Sequence, residues 1–104
     1  MSNNTIALIN VFTVNPGDQQ RLIDLLTRAT EDSVQHIEGF ISATLHQSMD
    51  GTRVTMYAQW RSKEDYDNMR KNATASPYLA EALTFATFDM GMYTIVKTFT
   101  AGKG

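Results

Sequence analysis

The chain has 104 residues with a formal net charge of −2, 42% apolar and 19% charged residues, and no cysteine. That is the size of one domain with a real core, expected over residues 1–104, and the mixed charge excludes the basic patch a nucleic-acid or anionic-membrane partner would need. The missing cysteines exclude disulfides, thiolate catalysis and cysteine metal sites. Two histidines, His36 and His46, on different elements and without helical metal spacing, argue against a protein-built metal site.

No apolar run approaches the ~20 residues of a membrane span, and Met1-Ser2-Asn3-Asn4 lacks a basic region followed by an apolar core, so the expected location is cytoplasmic. There is no Gly-rich phosphate loop, so no nucleotide cofactor is expected.

Residues 5–14, Thr-Ile-Ala-Leu-Ile-Asn-Val-Phe-Thr-Val, form a β-branched run that predicts a buried strand. Asn15-Pro16-Gly17-Asp18 opens a helix, with Asn15 as N-cap and Pro16 at the first helical position. Leu22, Leu25, Leu26, Ala29 and Ser33 recur at helical spacing to about His36, before Gly39. Residues 40–48 and 52–61 are two strands joined by Met49-Asp50-Gly51, a hairpin signal. Ser62 caps a second helix with Asp65 three residues on, and Tyr66, Met69 and Ala73 share its inward stripe. Ser76-Pro77 restarts a shorter helix with Leu79, Leu83 and Phe85 available for burial, and residues 90–99 read as the last strand before a frayed tail.

The order β-α-β-β-α-β is the ferredoxin-like α+β pattern: a four-stranded antiparallel sheet with its helices on one face. The bare face would carry Ile9, Val11, Thr55, Tyr57 and Gln59, a half-apolar surface that predicts a sheet-to-sheet homodimer.

Alternation sends Val54, Met56, Ala58 and Trp60 to the helix side, along with Asn10 between Leu8 and Phe12. Asn10, Trp60 and Tyr66 would then converge on a gap lined by Leu8, Phe12, Leu45, Met56, Met69 and Leu83. An apolar pocket holding a few polar groups is the usual form of a small-molecule site. Each residue also has an ordinary role open to it: Trp60 and Tyr66 as packing residues, Asn10 with a structural partner, the methionines as core filler. His46 is expected to face the open side of the sheet or solvent.

Gly39-Phe40-Ile41-Ser42-Ala43-Thr44, then Asp50-Gly51-Thr52, then Tyr57-Ala58-Gln59-Trp60-Arg61-Ser62-Lys63-Glu64-Asp65-Tyr66 resemble the signature of the antibiotic biosynthesis monooxygenases, over about residues 5–100. The resemblance implies a dimeric α/β barrel. Within the family the likeness is to a quinone-forming branch that oxidises phenolic or polycyclic aromatic, polyketide-like substrates with dioxygen and no cofactor. That branch places a Trp and a Tyr in the site, matching Trp60 and Tyr66. Its strand-three Asn, strand-two Tyr and late-helix Arg fall here on Met56, Leu45 and Ala80. A haem-degrading branch shares an Asn matching Asn10, but its Trp and His fall on Met69 and Ala82. The resemblance therefore implies catalytic Trp60 and Tyr66, with a small aromatic substrate and dioxygen as partners; Asn10, converging on the same gap, is expected to be catalytic with them. A non-catalytic aromatic-binding protein and a polyketide cyclase or isomerase are the alternatives, since one fold hosts many functions.

Overall fold

The computed structural model describes residues 5–71 and 76–102. Its elements in chain order are β1 (Ile6–Val14), α1 (Gln19–Asp32), β2 (Phe40–Gln47), β3 (Arg53–Trp60), α2 (Lys63–Arg70), α3 (Ser76–Ala82) and β4 (Ala86–Thr94), with 3-10 turns at Pro16–Asp18 and Val34–His36. The sheet runs β2-β3-β1-β4, antiparallel throughout. This is the ferredoxin-like α+β fold that the element order implies.

Local chemistry explains the boundaries. Asn15 precedes a 3-10 turn instead of capping α1 with its side chain; its carbonyl accepts from the Asp18 N–H at 2.8 Å. The expected α1 stripe, Leu22, Leu25, Leu26, Ala29 and Ser33, is buried throughout. The hairpin between β2 and β3 closes around Asp50. Its Oδ1 accepts from Ser48 Oγ (2.8 Å), the Thr52 N–H (3.0 Å) and Thr52 Oγ1 (2.7 Å), while Gly51 takes the positive φ of +80° that the turn requires. These hydrogen bonds hold the Asp50 carboxyl down at a pKa of about 2. Gln19, the buried polar residue of α1, fastens the helix to this hairpin by donating to the carbonyls of Ser48 (3.1 Å) and Arg53 (3.0 Å).

The last strand departs from expectation. It spans 86–94, not 90–99, because β1 offers partners only that far: Val14 pairs with Ala86 and Ile6 with Thr94. Asp89 and Gly91 disguise the strand in sequence, being poor strand formers, but both fall on the open face. The apolar run beyond has no regular structure, and Ile95, Val96 and Phe99 are exposed. Ala73, expected on the inward stripe of the second helix, lies outside the described residues.

The core is in two parts. One joins Phe12, Val14 and Val54 to Leu22, Leu25 and Leu26 of α1 and to Ala82 and Ala86. The other joins Ile6, Leu8, Ala58 and Trp60 to Tyr66 of α2. Met56 packs against both. Between them the helix side of the sheet is incompletely filled, and that gap is the site.

Candidate active site

The turn from β3 into α2 sets two aromatic groups face to edge. After Trp60, the Arg61 N–H donates to the Gly39 carbonyl at 2.7 Å, and Ser62 caps α2 by accepting from the Asp65 N–H at 3.1 Å. Ser62 Oγ also donates to Asp65 Oδ2 at 3.0 Å, and Arg61 forks onto both Asp65 oxygens at 2.7 and 2.9 Å. The Arg61 guanidinium, followed by Ser62, holds the Asp65 carboxyl below the usual carboxylate range. Gly39 stands so close to Asp65 that a Cβ there would overlap it, and its φ is +92°. So anchored, the first turn of α2 brings the Tyr66 ring edge-on to Trp60 at 6.0 Å. Phe40 meets Trp60 from the other side at 5.4 Å. Each such contact adds about 0.5–1.5 kcal/mol beyond burial, so Trp60 is held rigidly.

Asn10 arrives from the sheet. It pairs with Met56 on β3 and Met90 on β4, midway between Leu8 of one core cluster and Phe12 of the other. Its Oδ1 is buried with no hydrogen-bond partner among the described residues. A fold leaves a buried acceptor unpaired at a cost of about 1–3 kcal/mol, which marks Asn10 as a group aimed at something outside the chain.

Asn10, Trp60 and Tyr66 line one cavity of about 170 Å³, together with Leu8, Phe12, Met56 and Met69. Tyr66 Oη donates to Met90 Sδ at 3.0 Å and accepts from Arg70 Nη1 at 3.3 Å. Two expected lining residues lie elsewhere. Leu83 falls just past the end of α3, where a turn closed by the Phe85 N–H on the Ala82 carbonyl swings it to the surface, 46% exposed; Ala82 is buried in its stead. Leu45 is on the helix side but borders an adjoining groove with Thr27 and Thr30. His46 is exposed, its Nδ1 3.3 Å from the Thr55 carbonyl, as expected of a residue off the pocket.

Sequence reasoning missed Arg70, Tyr78, Phe40 and Phe88 in the cavity wall. Arg70 was within reach, being one turn after Tyr66 on the same helix face. Phe88, stacked on Phe12 at 5.0 Å, was hidden by the displaced boundary of β4. Tyr78 Oη donates to Asp32 Oδ2 at 3.2 Å and ties α3 to α1; that carboxylate pushes its hydroxyl pKa up. Among the described residues no group of three or more His, Cys, Asp or Glu is arranged to hold a metal ion. The cavity's functional groups are thus an amide, an indole, phenols, the Thr30 hydroxyl and one guanidinium inside an apolar wall.

The fold around this cavity recurs in known proteins. The family model for antibiotic biosynthesis monooxygenases matches residues 5–80. A curated relative, the tetracenomycin-F1 monooxygenase of Streptomyces glaucescens, is 44% identical over 77 residues, covering 74% of this chain and 69% of that protein. The ActVA-Orf6 monooxygenase of Streptomyces coelicolor, solved in complex with nanaomycin D, superposes with a TM-score of 0.80 at 28% identity, over 96% of this chain and 95% of that one. A variant of SnoaB, a cofactor-independent oxygenase from Streptomyces nogalater, shares the fold with a TM-score of 0.85 at 18% identity, over 94% and 99% of the two chains. The chain belongs to the antibiotic biosynthesis monooxygenase family. It is an enzyme of the monooxygenase class.

Proposed function

We propose that this enzyme oxidises a phenolic or polycyclic aromatic, polyketide-like substrate to a quinone with dioxygen and without a cofactor. The observation that carries the reading is the unpaired Asn10 Oδ1 in an apolar cavity shared with Trp60 and Tyr66. The relatives' names support the substrate class: one is a tetracenomycin-F1 monooxygenase and another was solved with nanaomycin D bound.

Ground-state dioxygen is a triplet and reacts slowly with closed-shell molecules, but an enolate or phenolate is a good one-electron donor. For an anthrone, loss of the ring proton gives the enolate. Transfer of one electron to dioxygen and recombination form a C–O bond and a peroxide. Loss of the second C–H proton with cleavage of the O–O bond leaves the new carbonyl, and the other oxygen departs as water. One anthrone and one dioxygen yield one quinone and one water. The unpaired Asn10 Oδ1 accepts from a substrate hydroxyl, the Asn10 Nδ2 and Trp60 N–H groups donate to the developing oxyanion, and the apolar wall excludes competing water. Tyr66 Oη passes a proton to the departing oxygen. The substrate's own acidity supplies much of the first deprotonation, since no strong base lines the cavity among the described residues.

Metal-free protein incubated with an anthrone or a naphthalene diol should consume oxygen and accumulate quinone in equal amounts. No rate above background across a panel of such phenols refutes oxidation. Product formed without oxygen uptake makes the enzyme a cyclase or isomerase, and tight binding without product makes it a binding protein.

The reading includes a sheet-to-sheet homodimer. The open face presents Ile9, Val11 and Tyr57, and Tyr93 lies over Gly91 on the same side. The exposed Val96 and Phe99 follow it. Ile9→Asp, which buries a charge only if the face is covered, should convert a sedimenting dimer to monomer.

A further inference from the structure

Two of the three acids of α2 are already engaged. Asp65 pairs with Arg61, and Asp67 with Lys63 at 2.8 Å; Arg61 also reaches Glu38 at 3.2 Å. Arg70, at the end of the same helix, has no carboxylate among the described residues. Its Nη1 donates to the Tyr66 hydroxyl at 3.3 Å and lies 3.7 Å from Met90 Sδ, both neutral groups. Met90 is the cross-strand neighbour of Asn10, so this guanidinium stands over the part of the cavity where Asn10 is unpaired. Of all the residues lining the cavity, Arg70 alone is exposed, which places it at the mouth.

Size adds a second argument. A cavity of about 150 Å³ holds a single benzene ring. This one, at about 170 Å³, is too small to enclose three fused rings. A polycyclic ligand must extend beyond it, either through the mouth past Arg70 or into the adjoining groove that shares Thr30, Ala43 and Met56. The charged residue lining that groove is Glu31, so an anionic end is directed to the mouth. An arginine there presents a fork of N–H donors that fits a carboxylate in two parallel, charge-assisted hydrogen bonds.

We infer that Arg70 is an anion receptor at the cavity mouth and that the enzyme selects polycyclic aromatic substrates bearing a carboxylate on the end that projects from the cavity. The inference rests on the function proposed above and narrows its substrate class. It explains why an apolar cavity keeps one cation at its rim with no acid among the described residues to neutralise it. A guanidinium at the C-terminus of α2 also complements the helix dipole, but that role makes no demand on the ligand's charge.

The chain's single tryptophan, Trp60, lines the cavity, so its fluorescence reports binding without turnover. The probes are anthraquinone-2-carboxylate and anthraquinone-2-carboxamide, equal in shape and different in charge. At low ionic strength the wild-type protein should bind the carboxylate about tenfold more tightly, a difference of about 1.4 kcal/mol. Arg70→Met should erase the preference by weakening the carboxylate alone, and Arg70→Lys should keep part of it. Equal binding of the two probes by the wild type, binding of neither, or a preference that persists in Arg70→Met overturns the inference. Oxygen uptake on unsubstituted anthrone separates the two proposals. Oxygen uptake by the wild type without carboxylate preference leaves the oxidation standing and removes the receptor. Carboxylate preference lost in Arg70→Met with no uptake by either protein does the reverse.

Discussion

Replacing Asn10 with leucine should make the protein more stable and less active. The Asn10 Oδ1 is buried in an apolar wall without a partner among the described residues, which costs about 1–3 kcal/mol relative to a satisfied or absent acceptor. Leucine is close to asparagine in shape, and the cavity alongside gives its extra bulk room, so overpacking is not expected. Removing the penalty should therefore raise stability by about 1 kcal/mol, which for a domain of this size lifts Tm by about 4–8 °C. Activity should move the other way. A single preorganised donor to an oxyanion is worth about 10²–10³ in kcat, and leucine supplies none. The assay is thermal unfolding beside oxygen uptake on an anthrone. A less stable leucine variant would mean the amide has a structural partner, and an unchanged turnover would remove Asn10 from the chemistry. Asn10→Asp supplies the control. Burial raises the new carboxyl's folded-state pKa above its unfolded value of ~3.9, so the folded state binds the extra proton. That variant's stability should fall as pH rises from about 4 through the folded pKa, and recover on acidification.

Tyr66→Phe keeps the ring against Trp60 and deletes only the hydroxyl that meets Met90 and Arg70; it should slow turnover by about 10²–10⁴, as expected for loss of a proton donor, with stability changed by about 1 kcal/mol or less in a denaturant melt. Gly39→Ala places a side chain into Asp65 at a φ of +92° and should destabilise the fold by more than 1 kcal/mol in urea unfolding, lowering activity indirectly by displacing the start of α2. Asp50 has its folded pKa lowered to about 2, so its contribution is complete above ~4 and lost as pH falls toward 2; Asp50→Asn should flatten the stability profile in that window and leave it unchanged at neutral pH and above apart from a constant offset.

Where sequence and structure agree, two short-range rules are at work. Alternation along β1 and β3 correctly put Leu8, Asn10, Phe12, Met56, Ala58 and Trp60 on one face. Helical spacing and a capping serine correctly aimed Tyr66 back at Trp60. Both rules use only what a residue's neighbours dictate, and they sufficed to assemble the three polar groups. The misses share a different cause. The end of β4 is set by the length of β1, a partner more than seventy residues away, and local strand propensity pointed to 90–99 instead. Leu83 was assigned inward by extending the spacing of α3 one residue beyond its end at Ala82. Leu45 faces the right side of the sheet but lies too near the β2 edge to reach the gap.

Nor could periodicity show that a gap exists, because it assigns faces without saying how completely two faces fill the space between them. The gap arises because α1 and α3 cover the Phe12 end of the sheet, α2 covers the Leu8 end, and neither that pair nor α2 reaches Asn10 between them. An amide at that one position of β1 is consistent with function only because the packing stops there. Had the two core clusters met, the same residue would be a defect costing about 1–3 kcal/mol with no return. The unpaired oxygen and the unfilled volume are two measures of the same thing, a place in the core that the chain leaves for another molecule to complete.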